Sequence, residues 1–221
     1  MTRSNFSTRV SVLAILALGL SVAGFAQEIR QDRSRMGLTA GLLTYTGRYS
    51  VGNSLMNHTS WGASVFYVPN IQTVRNLDMK LELTGGRLRG DNNEVETTGV
   101  KGDFSANLVE LAAKAEYTFI DLDKRKFSPY LSGGPGFYYL MNYQSSLGGK
   151  ENADLMGFVL PVGGGVKYKV KPRLMLLLDG NVRFFNKNLD NVVTQTGNNP
   201  NKYFNVGLGL SYDLGKRNIL W

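Results

Sequence analysis

Between Val109 and Phe119 apolar residues take every odd position, while Glu110, Lys114, Glu116 and Thr118 share the even ones. A period of two sends successive side chains to opposite faces, so this segment reads as a β-strand that is apolar along one whole face. It is longer than the ~5 to 6 residues usual in soluble sheets and matches the ~9 to 11 that a tilted strand needs to cross a bilayer. The same alternation, in places interrupted by glycine, predicts eight strands at 36–44, 60–68, 74–84, 104–119, 128–142, 157–169, 173–185 and 203–214. The connections alternate in length. Residues 45–59, 85–103, 143–156 and 186–202 are long and rich in Asn, Gly, Ser and Thr, whereas 69–73, 120–127 and 170–172 are short. Long loops on one side and tight turns on the other mark outer-membrane barrels, whose loops face outward and whose turns face the periplasm. The expected fold is all-β: an eight-stranded antiparallel transmembrane β-barrel with both termini periplasmic. An even strand count closes the sheet and removes edges that lipid would leave unsatisfied.

The parity of each strand assigns its faces. Toward lipid are expected Leu77, Met79, Leu81 and Leu83; Phe158, Leu160, Val162, Val166 and Tyr168; Leu174, Leu176, Leu178, Val182 and Phe184; and Phe204 through Leu214 at even positions. The other face carries Asp78, Lys80, Glu82, Glu110, Lys114, Glu116, Lys167, Lys169, Arg173, Asp179, Arg183 and Asp213, six acids against six bases. Near neutrality predicts ion pairing across the lumen, with Lys80, Glu82, Glu110, Lys114, Glu116, Lys167, Asp179 and Arg183 as its network, because unpaired charges packed together are costly. Eight strands leave room for little else, so no open pore is expected. Tyr45, Tyr67, Tyr117, Phe119, Tyr143, Tyr168, Phe184, Tyr203 and Tyr212 lie near strand ends and are expected in two aromatic girdles. The competing eight-stranded reading, a soluble lipocalin-like lipid carrier, would turn the apolar face inward around a ligand.

The first 26 residues stand apart. Arg3 and Arg9 precede an apolar run from Val10 to Val22, and Ala23-Gly-Phe-Ala26 places small residues at −3 and −1. This is the pattern of a signal peptide cleaved after Ala26. The chain then divides into a periplasmic N-terminal segment at 27–35 and a barrel domain at 36–221 with a short periplasmic tail. Removing the leader lowers the net charge from +8 to +6, because it holds two arginines and no acid. Cysteine is absent, which excludes disulfides, thiolate catalysis and Cys-ligated metals.

Candidate chemistry is sparse. The single histidine, His58, could pair with Ser60 and Asp91 as the base, nucleophile and orienting acid of a lipid-modifying barrel enzyme, and a solvated loop histidine is the simpler reading. Glu110 and Glu116 lie six residues apart on one strand, about 20 Å, far beyond the ~5 to 9.5 Å of a glycosidase pair. Gly133-Gly-Pro-Gly136 and Gly163-Gly-Gly165 lack the strand-to-helix context and the Lys-Ser/Thr of a phosphate loop. With one His and dispersed carboxylates no metal site is expected, and neither a cofactor, a small-molecule substrate nor a nucleic acid. An enzyme is not expected.

Six segments resemble a known family. Gly41-Leu-Leu-Thr-Tyr-Thr-Gly47, Leu83-Thr-Gly-Gly-Arg-Leu-Arg-Gly-Asp91, Val109 to Phe119, Phe127-Ser-Pro-Tyr-Leu-Ser-Gly-Gly-Pro-Gly-Phe137, Leu160-Pro-Val-Gly-Gly-Gly-Val-Lys-Tyr168 and Leu189-Asp-Asn-Val192 follow, in order and spacing, the PorG-like outer-membrane barrels of the type IX secretion system. Arg48 departs from the acid that family carries after this glycine, and Arg183-Phe-Phe-Asn186 departs from its seventh strand. The resemblance implies a non-enzymatic component that connects the outer membrane to periplasmic parts of the secretion machinery. Charge is distributed in keeping with it: Arg30, Arg33, Arg35, Lys124, Arg125, Lys126, Lys171, Lys216 and Arg217 fall on the expected periplasmic side, and Asp91, Glu94, Glu96, Asp103, Glu151, Asp154 and Asp190 in or beside the outer loops. A basic face of this kind suits an acidic protein partner or anionic headgroups, so Lys124, Arg125, Lys126 and Lys171 are the expected partner contact.

Overall fold

The structure is a computed structural model that describes residues 34–46, 59–70, 76–92, 102–122, 125–145, 153–186 and 202–215. The expected leader, Lys124 and most of the four long connections, His58 included, lie outside the described residues. Nine strands follow in order: β1 (Arg35–Thr46), β2 (Thr59–Val68), β3 (Leu77–Asn92), β4 (Gly102–Thr118), β5 (Phe127–Gly133), β6 (Gly136–Ser145), β7 (Ala153–Lys171), β8 (Leu174–Phe185) and β9 (Lys202–Asp213). Every pairing is antiparallel, each strand joins its sequence neighbours except that β5 and β6 do not pair with each other, and β1 pairs with β9 to close the ring.

The ninth strand arises because the segment expected as one strand over 128–142 is two. Both β5 and β6 lie between β4 and β7, end to end, so nine strands make eight staves. The break falls at Gly134 and Pro135, where proline has no N–H for the ladder. The neighbours still hold it, with Ala113 N donating to Pro135 O at 3.0 Å and Gly134 N to Pro161 O at 3.2 Å. β3 also runs past its expected end at 84. Its register with β4 is unbroken from Leu77 opposite Tyr117 to Asn92 opposite Gly102, so Gly85 and Gly86 belong to the ladder instead of a loop. Gly86 is there for space: a Cβ would stand 2.4 Å from Leu43 Cδ1.

Tracing registers from Thr46 through Lys202, Phe184, Leu160, Pro135, Ala113, Leu81 and Tyr67 returns to β1 at Met36, ten residues below the start. For eight strands that stagger corresponds to a tilt of about 40°. Two ends are therefore distinct, a turn end near Met36 and Val68 and a loop end near Thr46 and Lys202.

Polarity follows the alternation. Leu208 is 69% exposed and Leu81 48%, while Lys114 and Arg183 are 0% exposed. Apolar residues outside and charge inside is the reverse of a lipid carrier, which removes the lipocalin-like alternative. Five placements differ from expectation. Arg173 is exposed at the β7–β8 turn, and Asp78 and Lys169 are only half-buried, because they sit where the bore opens. Tyr45 and Tyr203, expected in the girdle, point into the barrel and are fully buried, whereas Tyr67, Tyr117, Phe119, Tyr168, Phe184 and Tyr212 are exposed. Odd parity on β1 and β9 faces the interior, and nearness to a strand end does not override it.

Candidate functional site

The interior of the middle third is a charged layer built by four staves. β3 contributes Lys80 and Glu82, β4 contributes Glu110, Lys114 and Glu116, β7 contributes Lys167, and β8 contributes Asp179 and Arg183. Arg183 is its centre. Nε donates to Glu110 Oε1 at 2.9 Å and Nη2 to Glu82 Oε1 at 3.0 Å. The other oxygen of Glu82 meets Lys80 Nζ at 2.9 Å and Lys114 Nζ at 2.7 Å. Glu116 accepts from Lys167 Nζ, which also donates to Thr118 Oγ1 at 2.9 Å, and meets Arg35 Nη2 at 3.3 Å. Asp179 accepts from the Tyr130 hydroxyl and from Asn181 Nδ2 at 2.6 Å. Bringing so many ions out of water is costly, and only this mutual pairing compensates.

Three contributors escape a reading based on charge and parity alone. Arg35 reaches inward from the first residue of β1 to Asp78 and Glu116 and takes the place expected for Arg173. Tyr130 and Tyr203 donate to Asp179 and Glu110. Aromatic rings also cover the cations: Lys80 lies 4.5 Å from the Phe66 centroid, Lys167 4.9 Å from Tyr130, and the Arg183 guanidinium 5.3 Å from Tyr203. Inward parity on β5 and β9 was the available signal for both tyrosines.

Above this layer, toward the loop end, the interior is apolar, against the expectation of charge throughout. Leu43, Tyr45, Leu88, Ala106, Leu108, Tyr138, Leu140, Val159, Phe185 and Tyr203 form one buried cluster. Phe66, Val68 and Leu177 form a smaller one toward the turn end. The described lumen is thus packed by ion pairs below one apolar cluster, and at the turn end a smaller cluster lies level with the Arg35 pairs. Apolar residues occur at both parities in 42–45, Thr44 aside, and in 137–140, which is the sequence trace of a segment leaving a charged lumen for a packed one.

Glu110 and Glu116 are engaged with separate cations, as their spacing requires. Ser60 is half-buried at the start of β2. At the turn end Arg125, Lys126 and Lys171 are exposed, and the β4–β5 turn is joined to the end of β7 by Lys169 N donating to Lys126 O at 2.7 Å. Lys169 Nζ reaches Leu122 O at 3.2 Å, so three cationic positions of two turns share one stretch of rim.

Comparison with known proteins agrees with this architecture. The sequence profile of the outer membrane protein beta-barrel domain family matches residues 12–213. Among solved structures, the chain is similar to Neisserial surface protein A, with 16% identity and a TM-score of 0.51 over 81% of this chain and 96% of that one. It is also similar to the outer membrane protein OprG of Pseudomonas aeruginosa, with 10% identity and a TM-score of 0.50 over 82% and 97%. At such identities the likeness is one of fold. No curated protein matches the sequence. The charged, sealed interior, the apolar outer face and the family match together make this chain a member of the outer membrane protein beta-barrel domain family, residing in the outer-membrane bilayer.

Proposed function

We propose that this protein works through its surfaces as a non-enzymatic structural or assembly component, linking the outer membrane to periplasmic parts of a type IX-like secretion machinery. The filled bore carries the reading. Among the described residues the Arg183 network and the apolar cluster above it pack across the bore, which turns attention to the rims. The resemblance to PorG-like barrels in the segments given above supplies the machinery. In this reading the leader at 1–26 exports the chain, both termini and the three short turns face the periplasm, and the loops face outward.

The contact falls on the joined basic rim, Arg125, Lys126 and Lys171 with Lys124 beside them in sequence. Four cations on two adjacent turns suit an acidic partner surface, and such complementarity mainly sets encounter and register. In-cell cross-linking followed by co-purification tests it. Reversing all four charges (K124E, R125E, K126E, K171E) is expected to lower recovery of periplasmic partners by roughly tenfold. The heat-dependent gel mobility of the folded barrel is expected to stay unchanged. Undiminished recovery from the folded variant would remove the contact.

A further inference from the structure

The outward face of β3 changes character at one level. Met79, Leu81 and Leu83 are exposed and apolar, Gly85 follows, and then Arg87 and Arg89 project from the same face. β4 changes at the same rows: Leu111 and Val109 give way to Asn107 and Ser105, which stand opposite Arg87 and Arg89. On β2, Gly62 is opposite Gly86, so Trp61 is the next position beside Arg87, and it is 74% exposed. Arg87 Nη2 donates to Ser105 Oγ at 3.3 Å, which steadies the guanidinium and leaves its other donors outward.

Depth identifies what these groups meet. At a tilt of about 40° each residue climbs roughly 2.5 Å along the barrel axis. Arg87 is ten residues above Leu77, whose row with Tyr117 opens the strand pair, and Arg89 is twelve. Their Cα atoms therefore stand about 25 and 30 Å above that row, against an apolar band about 25 Å tall. Both arginines emerge where acyl chains end and headgroups begin. Elsewhere on the described ring the outward positions near this level are mostly aromatic, among them Tyr139, Phe158, Phe184 and Phe204, and the one further cation, Lys202, lies with Nζ 5.8 Å from the Phe204 centroid.

We infer that Arg87, Arg89, Asn107 and Trp61 form a binding site for a phosphorylated glycolipid of lipid A type in the outer leaflet. Guanidinium groups match phosphate oxygens bidentately, the Asn107 amide adds a donor, and an indole at the interface packs against the sugar and upper acyl chain. The assignment to the outer leaflet rests on the orientation proposed above; the chemistry of the site does not.

Native mass spectrometry of the purified full-length barrel in detergent, titrated with diphosphoryl lipid A, phosphate-free lipid A or phosphatidylglycerol, tests the site. The wild type is expected to prefer diphosphoryl lipid A over both others by tenfold or more, and R87Q/R89Q to bind it roughly ten- to thirtyfold more weakly. The gel shift of the variant on heating shows that it is folded. Equal binding by wild type and variant, or equal binding of the phosphate-free form, would overturn the site. Equal binding of phosphatidylglycerol would overturn the preference for glycolipid. Because the chain has no native cysteine, Val95→Cys in the β3–β4 connection provides a separate reading of orientation. Labelling of intact cells by an impermeant maleimide supports the outward-facing loops. Failure of that labelling alone would overturn the leaflet and leave lipid selectivity as measured.

Discussion

Arg183 sits between Glu82 and Glu110 with no exposure to solvent; its removal leaves Glu82 on Lys80 and Lys114 but leaves the buried Glu110 carboxylate with the Tyr203 hydroxyl and no cation. Arg183→Ala is expected to cost about 3 to 5 kcal/mol, the usual penalty for breaking one side of a buried pair. Adding E110Q to it is expected to recover a large part of that loss, since the residue left without a cation is then neutral, while Glu82 is kept for Lys80 and Lys114. Urea unfolding of the barrel in micelles, followed by gel mobility, gives both numbers, and equal stability of the single and double variants would contradict the account. At this scale parity alone places Lys80, Glu110, Lys114 and Lys167 inside. Parity also applies to Tyr45 and Tyr203, yet their position near strand ends suggested the girdle; rings belong to both environments, and only register decides. Arg35 was harder to place, because a cation at the first residue of a strand can snorkel to either side.

The strands extend the same logic. Leu208 stands near mid-height on the outer face of β9, 69% exposed to what the bilayer supplies. Leu208→Arg is expected to destabilise the barrel by about 2 to 4 kcal/mol, whereas on a soluble sheet it would be nearly neutral. Refolding titrations into phospholipid vesicles measure this, and a cost under 1 kcal/mol would argue against lipid at that position. The closing seam is more sensitive. Gly41 faces Gly207 across β1 and β9, and a Cβ on Gly41 would stand 2.1 Å from Val206 O. Gly41→Val is therefore expected to leave a large fraction of chains without the compact, heat-sensitive gel band. Strand existence and order were legible because a period of two is unambiguous over ten residues. The extension of β3 through Gly85 and Gly86 was not, since a Gly-Gly pair read locally marks a loop, whereas here Gly86 makes room for Leu43 and Gly85 lies open on the outer face. Pro135 broke a strand that its flanking alternation presented as continuous.

For the molecule as a whole the consequence of a filled bore is electrical silence. Planar-bilayer recordings are expected to show no stable conductance for the wild type, and steady channels would contradict the seal formed by the Leu43–Tyr203 cluster and the ion pairs below it. The fold, the outer face and the membrane were readable from the chain because all three follow from one alternation. The partner was not, because exposed lysines and arginines at turns carry charge without shape. Site-directed spin labelling along β9 in a lipid bilayer addresses polarity and closure together. Labels at Val206, Leu208 and Leu210 are expected to collide freely with oxygen dissolved in the hydrocarbon and scarcely with a water-soluble nickel chelate, while labels at Asn205 and Ser211 meet neither. Nickel access at Asn205 and Ser211, or oxygen contact shifted to that face, would contradict a sealed barrel with its apolar side in lipid.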